Sequence, residues 1–422
     1  MNSSEIRLRN DRGYATMTPI RGGSVSTGGN SGSAGKERLS WIDFSKGLCM
    51  VLVVLYHLSL WMETEVHSGP GLWWVISDAL NPLRMPLFFF ISGYLSISAL
   101  RRPLGSSRSR TLGLYYVYVL WTALFLLRRW LPFLSTETEP EVGQLLLSLV
   151  LPTSFWYLYA LPVFFLATKV LLGVLGNRSA YALIPLAVMS ALSPLVQPYT
   201  QGLLTEPFDA AKIPSVLANF LWFYLGVHGA ALWARFSRRR SYAVLGLSAG
   251  LYLAVYAVMT AFRMELLLET LLSCLALFVT AQLVSRINMD SRAALGLRRV
   301  GSQTLPVYIF HIVLVSALSA MVKLTGLMPL LQSAPGVAAA VVPPLLVLPT
   351  ILLCLTAGSL IKRSPFAWLL DAPPFLVGTR KPKLDDGGRE PAAESPNAEL
   401  NSVDQPGKSP GFSPATATEE HS

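Results

Sequence analysis

The sequence predicts an all-α polytopic membrane protein of about ten transmembrane helices. Of its 422 residues, 52% are hydrophobic and only 14% are charged, whereas soluble domains carry about 25% charged residues. The mean hydropathy is +0.47. Apolar runs long enough to cross a hydrocarbon layer of roughly 30 Å recur along the chain, and short basic or acidic loops separate them.

The chain divides by composition into three predicted segments. Residues 1–38 contain the tract GGSVSTGGNSGSAG and little to pack, so we expect a disordered N-terminal tail. Residues 39–376 hold all the apolar runs and form the predicted membrane domain. Residues 377–422 are charged and rich in proline, which predicts a disordered C-terminal tail.

Ten apolar runs follow one another inside the predicted membrane domain. Each is bounded by charged, glycine-containing or aromatic segments of the kind found at membrane interfaces. The predicted spans are residues 45–62, 83–100, 112–131, 155–174, 180–197, 214–234, 241–261, 265–285, 302–322 and 338–361.

The distribution of basic residues predicts which side of the membrane holds the termini. Ten spans place both termini on one side, and the loops on that side carry 14 Lys or Arg against five in the opposite loops. The positive-inside rule therefore predicts cytoplasmic termini. The net charge of +10 is explained by these loops and by anionic lipid headgroups, so we expect no nucleic-acid partner.

The first predicted span carries two ionisable side chains. Lys46 stands at its cytoplasmic end, and His57 follows eleven residues later in KGLCMVLVVLYH. An ionisable group at that depth is costly and is by default a functional-site hypothesis. We predict that His57 is a catalytic general base. The alternative is a neutral imidazole that hydrogen-bonds between helices. No nearby acid is placed to orient the ring, because Glu65 lies beyond the membrane edge.

Depth in the membrane groups further residues with His57. Arg84, in NPLRMPLFFF, begins the second span on the outer side and is predicted to be catalytic, as a clamp for an anion or an oxyanion. The alternative is an arginine that extends to the interface. Gly93 follows in ISGYL and is expected to permit close helix packing. The aromatic start of the fourth span, at Trp156, Tyr157 and Tyr159, is expected to share the same outer cavity.

Two further groups of candidates complete the predicted site. His311, in LPVYIFHIVL, is a candidate substrate-binding residue or proton relay, or else an interhelical hydrogen-bond donor. Trp156 and Tyr159 are the other predicted substrate-binding residues. Three cysteines lie in apolar runs, and no CxxC or HExxH occurs, so we predict no metal site.

These motifs resemble the acyltransferase-3 family of integral membrane O-acyltransferases, over about residues 39–365. The signatures are a basic residue, ten residues and a histidine (Lys46 to His57), together with RMPLFFFISGYL, FWYLYAL and LPVYIFHI. The resemblance implies about ten helices, a cytoplasmic acyl donor (usually acetyl-CoA) and an acceptor hydroxyl outside the cell. An arginine pair that many members carry as RxxR is absent at that spacing. The nearest matches are Arg101 with Arg102, and Arg108 with Arg110.

The resemblance implies O-acetylation, or transfer of another short acyl group from acyl-CoA, on a glycan or lipid-linked sugar. The protein would then lie in a bacterial inner membrane as a multi-pass protein. Lys46, Arg101 and Arg102 are the expected coenzyme-binding residues. One alternative is a transporter in which His57, Arg84 and His311 line the substrate pathway, although no internal duplication is evident. A second alternative is a family member that has lost catalysis and regulates a partner protein.

Overall fold

The described residues, 31–127, 142–204, 211–238 and 241–378, form an α-helical bundle in a computed structural model. They contain no β-strand. The α-helices are α1 (Ser31–Thr64), α2 (Leu72–Ala79), α3 (Asn81–Leu100), α4 (Leu112–Leu127), α5 (Val142–Val150), α6 (Trp156–Leu175), α7 (Leu183–Leu192), α8 (Gln197–Thr200), α9 (Ile213–His228), α10 (Ala230–Arg238), α11 (Tyr242–Phe262), α12 (Glu265–Val284), α13 (Arg292–Ser302), α14 (Thr304–Leu324), α15 (Met328–Ser333), α16 (Pro335–Arg363) and α17 (Pro374–Val377).

Several predicted features lie outside these residues. The two predicted tails do so except for residues 31–38, which begin α1, and residues 377 and 378. Arg128 and Arg129, the acidic loop after them, and the pair Arg239 and Arg240 also lie outside. The compact unit that contains the helices runs as far as Val377.

The fold confirms the prediction of an all-α membrane protein. Within the described ranges, seven helical runs are long and apolar enough to cross a membrane, and the bent pair α9 and α10 would make eight. On α16, large apolar side chains project outward at helical spacing, as expected for a surface that faces lipid. These are Val341, Leu345, Leu348 and Leu352, each more than half exposed.

The number of spans and the side of the termini stay predictions. Predicted spans four and five fall in one helical run, Trp156–Thr200. This run is interrupted where Gly176, with φ of 51°, starts a 3₁₀ segment (Gly176–Ala182). The eighth predicted span corresponds to α12, whose apolar part covers only Leu268–Val284.

The sixth predicted span is not one straight helix. It breaks after His228, and α10 turns away from α9 by 77°. Glycine at 229 disfavours helix continuation, and the turn lets Trp233 of α10 stack on Trp41 of α1 with ring centroids 4.7 Å apart. The span predicted over 214–234 therefore corresponds to two helices, and hydropathy alone did not predict the bend because the bend accompanies this tertiary contact.

Helix α1 lies at the centre of the bundle, in contact with α2, α3, α13, α14 and α16. Its central side chains, including Cys49, Val54 and Leu58, are fully buried. Its backbone approaches α13 so closely that a Cβ on Gly47 would lie 1.9 Å from the carbonyl oxygen of Leu297. A Cβ on Gly301 would lie 1.7 Å from the carbonyl oxygen of Asp43. These two glycines allow the contact and fix the depth of α1.

Helices α3 and α9 pack in the same way. A Cβ on Gly93 would lie 1.9 Å from the carbonyl oxygen of Phe223, and one on Gly226 would lie 2.0 Å from that of Phe90. Gly93 therefore serves close helix packing, as the sequence predicted. The contact positions the first turn of α3, which carries Arg84, beside α9 and α1.

Candidate active site

The rings of His57 and His311 face each other across the contact between α1 and α14. Their centroids are 4.9 Å apart and their planes are inclined by 55°. The side chains come from opposite ends of the sequence, so this pairing depends on the packing of the first long helix against one of the last. The structure thus brings together two of the three histidines that lie inside predicted membrane spans, and the third is His228.

The hydrogen bonding of His311 defines which of its nitrogens carries the proton. Its Nδ1 lies 2.8 Å from the carbonyl oxygen of Val307. Because a carbonyl oxygen only accepts, Nδ1 must donate, and Nε2 then carries a lone pair. This Nε2 is fully buried and has no hydrogen-bond partner among the described residues. It is a free proton acceptor inside the bundle.

Arg84 is a buried cation whose guanidinium hydrogen-bonds to uncharged groups. Its side chain is 5% exposed. Nη1 donates to the carbonyl oxygen of Ser77 at 3.2 Å, and Nη2 donates to Oδ1 of Asn81 at 2.9 Å. The guanidinium also lies 4.2 Å from the ring centroid of Tyr56. In the described part of the chain no carboxylate forms an ion pair with it.

A single cavity of about 460 Å³ connects these groups. The volume lies within the range of about 300–1,000 Å³ that is usual for small-molecule sites. On α1 the cavity extends from Met50 to Leu60, about 15 Å along the helix axis. We call it the histidine cavity. Its polar and aromatic lining includes Tyr56, His57, Asn81, Arg84, Trp156, Tyr157, Lys212, Tyr308 and His311.

Two tyrosines fix the wall of the histidine cavity opposite α1. The backbone N–H of Tyr157 donates to the hydroxyl oxygen of Tyr308 at 3.3 Å. The hydroxyl of Tyr157 is 2.9 Å from that of Ser92 on α3. These bonds connect the start of α6 to α14 and α3, so they hold Trp156 at the edge of the cavity.

Of the predicted aromatic residues, Trp156 lines the cavity and Tyr159 does not. Tyr159 instead packs against Tyr118 of α4, with ring centroids 5.4 Å apart. It lies two residues beyond Tyr157, which helical rotation places on a different face of α6. Tyr157 occupies the position by the cavity.

The predicted coenzyme-binding residues lie outside the histidine cavity. Lys46 forms an ion pair with Asp43 at 3.0 Å. It lies eleven residues before His57, about three helical turns, on the same face of α1 and roughly 16 Å away along the axis. Arg101 and Arg102 are exposed just beyond the end of α3. There Lys169 donates to the carbonyl oxygens of Leu100 and Arg102, at 2.9 and 2.6 Å.

Sequence reasoning missed several polar residues of the cavity. Asn81 and Tyr308 each lie three residues before a predicted site residue, Arg84 and His311, so helical spacing alone would have indicated a shared face. Lys212 gave no such signal, because it was counted only as a loop cation. Glu65 does not orient His57, since its carboxylate pairs with Lys323 at 2.7 Å.

Comparison with known proteins agrees with the sequence resemblance. Residues 39–362 match the family described as acyltransferase domain. The chain is 29% identical over 377 residues to the inner membrane protein YcfT of Escherichia coli (strain K12). The aligned region covers 81% of this chain and 98% of YcfT.

Two partial relatives are nodulation proteins named NolL. The Sinorhizobium fredii protein is 31% identical over 193 residues, which are 43% of this chain and 48% of that protein. The Mesorhizobium japonicum protein is 26% identical over 195 residues, 45% of this chain and 50% of that protein. No solved structure matches.

The family match covers well over half of the chain, and it coincides with the helical bundle that contains the histidine cavity. Together with the apolar helices and the inner membrane relative, it assigns the protein to a bacterial inner membrane as a multi-pass protein. The chain belongs to the acyltransferase-3 family and is a membrane acyltransferase.

Proposed function

We propose that the protein transfers an acetyl or other short acyl group from cytoplasmic acyl-CoA to a hydroxyl of an extracytoplasmic glycan or lipid-linked sugar. One observation carries the proposal. A cavity of ligand size holds His57 and His311 face to face, beside a buried arginine that forms no ion pair with a described carboxylate. A base, a second proton acceptor and a fixed cation are the groups that acyl transfer to a hydroxyl needs.

His57 is the proposed general base. Its ring lines the cavity, and a neutral imidazole can take the proton from an acceptor hydroxyl as the bond to carbon forms. The opposing Nε2 of His311 carries a lone pair and has no partner among the described residues. It can accept a hydrogen bond and so stabilise and orient the imidazolium that develops at His57. In this role His311 is a positioning residue.

Arg84 is the proposed stabiliser of the oxyanion. A buried charge is costly unless it is paired, and here neutral groups hold the guanidinium in place without neutralising it. The charge is therefore available to the negative oxygen that forms when a hydroxyl attacks a thioester. Pre-positioned donors of this kind lower the barrier because they need no reorganisation during the reaction.

The atoms balance in one direct transfer. The acceptor oxygen forms a bond to the thioester carbonyl carbon, and its proton moves to His57. The carbonyl π electrons move to the oxygen beside Arg84 and then return as the carbon–sulfur bond breaks. The coenzyme thiolate takes the proton from His57, which leaves free coenzyme A, an O-acylated acceptor and a neutral histidine.

The two substrates are proposed to approach from opposite ends of α1. Lys46 lies at one end with Asp43, and together with Arg101 and Arg102 it is the proposed site for the coenzyme phosphates. This end is cytoplasmic under the predicted topology. The acceptor approaches from the other end, where Trp156 and the exposed Lys212 line the cavity. The transporter alternative is set aside, because the family is one of acyltransferases.

Release of thiol from acetyl-CoA by the purified protein tests the proposal. Wild type should release thiol faster when pooled cell-envelope glycans are added, and His57→Ala should not. The matched control is His67→Asn, since His67 is exposed and has a φ of 59°, a conformation that asparagine tolerates. Glycan-dependent release by folded His57→Ala at the wild-type rate would contradict the role of His57. No release by wild type with any short acyl-CoA would contradict the function.

A further inference from the structure

A second cavity, of about 250 Å³, adjoins the histidine cavity. The two share four lining residues, Asn81, Met85, Trp156 and Ser215. The second cavity lies between the first turns of α3, the N-terminal parts of α9 and α12, and the segment around Ser193. It is smaller than the pockets of drug-sized ligands, so it has room for a single ring. We call it the carboxylate cavity after Glu265 and Glu269, which line it.

The two cavities differ in charge. Cationic or basic side chains line the histidine cavity, at His57, Arg84, Lys212 and His311. The described lining of the carboxylate cavity contains no Lys, Arg or His, and instead offers carboxylates, amides, hydroxyls and tryptophan. In the described part of the chain no cation pairs with Glu265 or Glu269. An anionic ligand would be repelled here, whereas a ligand with hydroxyl donors would find acceptors.

Asn219 provides independent evidence for a ligand. The residue is 8% exposed and lines the carboxylate cavity. Its Nδ2 donates to the carbonyl oxygen of Ser215 at 2.8 Å, which fixes the orientation of the amide. Its buried Oδ1 has no hydrogen-bond partner among the described residues. A buried acceptor without a donor costs free energy, and a ligand hydroxyl would satisfy it.

Asn81 connects the two cavities through hydrogen bonds. Its Oδ1 accepts from Arg84, and its Nδ2 donates to Oε1 of Glu269 at 3.4 Å. The amide thus separates the guanidinium from the carboxylate, so that each charge remains available to its own cavity. A ligand in the carboxylate cavity would contact Glu269 one side chain away from Arg84.

We propose that the carboxylate cavity binds one uncharged sugar ring of the acceptor and directs its hydroxyl toward His57. Ring hydroxyls donate to Glu269 and to Oδ1 of Asn219, and Trp222, which is 2% exposed and lines the cavity, gives an apolar surface for the ring face. This inference rests on the proposed function. It adds that the sugar unit of the acceptor that binds in this cavity carries no charge.

The test uses oligosaccharides released from cell-envelope glycans and separated by anion exchange into neutral and acidic fractions. The first readout is the melting temperature of the purified full-length protein without acyl-CoA, since a bound ligand stabilises the folded state. The neutral fraction should raise it and the acidic fraction should not. Glu269→Gln should remove the effect, and Glu63→Gln, outside both cavities, should retain it.

The second readout is transfer from acetyl-CoA to the neutral fraction. Glu269→Gln should raise the KM for the neutral fraction about tenfold, the effect of one hydrogen bond to a charged group. The KM for acetyl-CoA should not change. Asn219→Leu should raise the sugar KM about three- to tenfold while the protein remains folded, because it removes an acceptor to which no described residue donates.

Three results would overturn the inference: stabilisation by the acidic fraction instead, no stabilisation of wild type by the neutral fraction, or an unchanged sugar KM in both variants. If transfer depends on His57 in the same assays, the proposed function survives and only the sugar site is rejected. If the neutral fraction binds and no thiol is ever released, the sugar site survives and the proposed function is rejected.

Discussion

The ring centroids of His57 and His311 lie 4.9 Å apart, and the orientation of His311 is fixed because its Nδ1 donates to the carbonyl oxygen of Val307. If they act as one unit, their effects on catalysis are not independent. We expect His57→Ala to lower kcat about 10²- to 10⁴-fold and His311→Ala to lower it less. The double variant should be no slower than His57→Ala alone. The measurement is thiol release under saturating acyl-CoA and glycan, and multiplicative losses would show separate roles.

Arg84 holds two acceptors, on Ser77 and Asn81, with two different nitrogens of one planar group. A lysine has one ammonium and cannot reproduce that geometry. Arg84→Lys should therefore lower kcat by about 10²- to 10³-fold, the usual effect of losing an oxyanion donor, with little change in either KM. The control is Arg178→Lys, at an exposed position. A change confined to KM would make Arg84 a binding residue only.

Lys46 is proposed to contact the phosphates of the donor. Lys46→Met should raise the KM for acetyl-CoA about tenfold, equivalent to about 1.4 kcal/mol, and leave kcat nearly unchanged. S-acetylpantetheine, which lacks the nucleotide phosphates, should be used equally well by wild type and variant. The control is Lys323→Met, which removes the exposed pair with Glu65. An equal defect with both donors would place the effect of Lys46 elsewhere.

The contact between α1 and α13 leaves no space for a side chain at Gly301. A Cβ there would lie 1.7 Å from a backbone oxygen, so Gly301→Ala must separate the helices. Overpacking of this kind typically costs about 1–3 kcal/mol, and we expect a lower melting temperature in detergent. Gly250→Ala on α11 has open space around it and should be neutral or slightly stabilising, because alanine favours the helix. Equal melting temperatures for the two variants would contradict the close contact.

The predicted topology places Thr64 outside the cell and Gly105 in the cytoplasm. Thr64 is exposed at the end of α1, and Gly105 has open space in the segment after α3. Of the native cysteines, only Cys274 is exposed, so we would replace it with serine. In intact cells a membrane-impermeant maleimide should label Thr64→Cys and should reach Gly105→Cys only after permeabilisation. Labelling in the opposite order would reverse the proposed directions of donor and acceptor.

The sequence was sufficient to predict the residues that depend on depth along a helix. His57, Arg84 and His311 are ionisable groups within apolar runs. Burial of such groups in a membrane protein costs free energy, so each of them is a candidate functional residue. Counting residues from the interface grouped His57 with Arg84 at an outer cavity and placed His311 on the ninth span as a separate candidate. The structure brings all three to the histidine cavity.

Residues that depend on rotation about a helix were not predictable in the same way. Aromatic residues at an interface point in every direction, so FWYLYAL does not distinguish Tyr157, in the cavity, from Tyr159, against α4. The bend at Gly229 depends on a contact between Trp233 and Trp41, which are separated by nearly 200 positions. Nothing in the sequence marks the amide of Asn219, which is distinguished by a buried Oδ1 that has no hydrogen-bond partner among the described residues.

Helix α1 contains no proline, whereas α3, α6 and α16 each contain at least one internally. Without a proline kink, the regular rise of the helix sets the spacing between Lys46 and His57 at roughly 16 Å. A donor whose phosphates bind at Lys46 can place its thioester beside His57 only if the chain between phosphates and thioester is as long as the spacing between these two residues. The length of α1 between Lys46 and His57 would thus select the acyl donor, and the histidine cavity would select the acyl group.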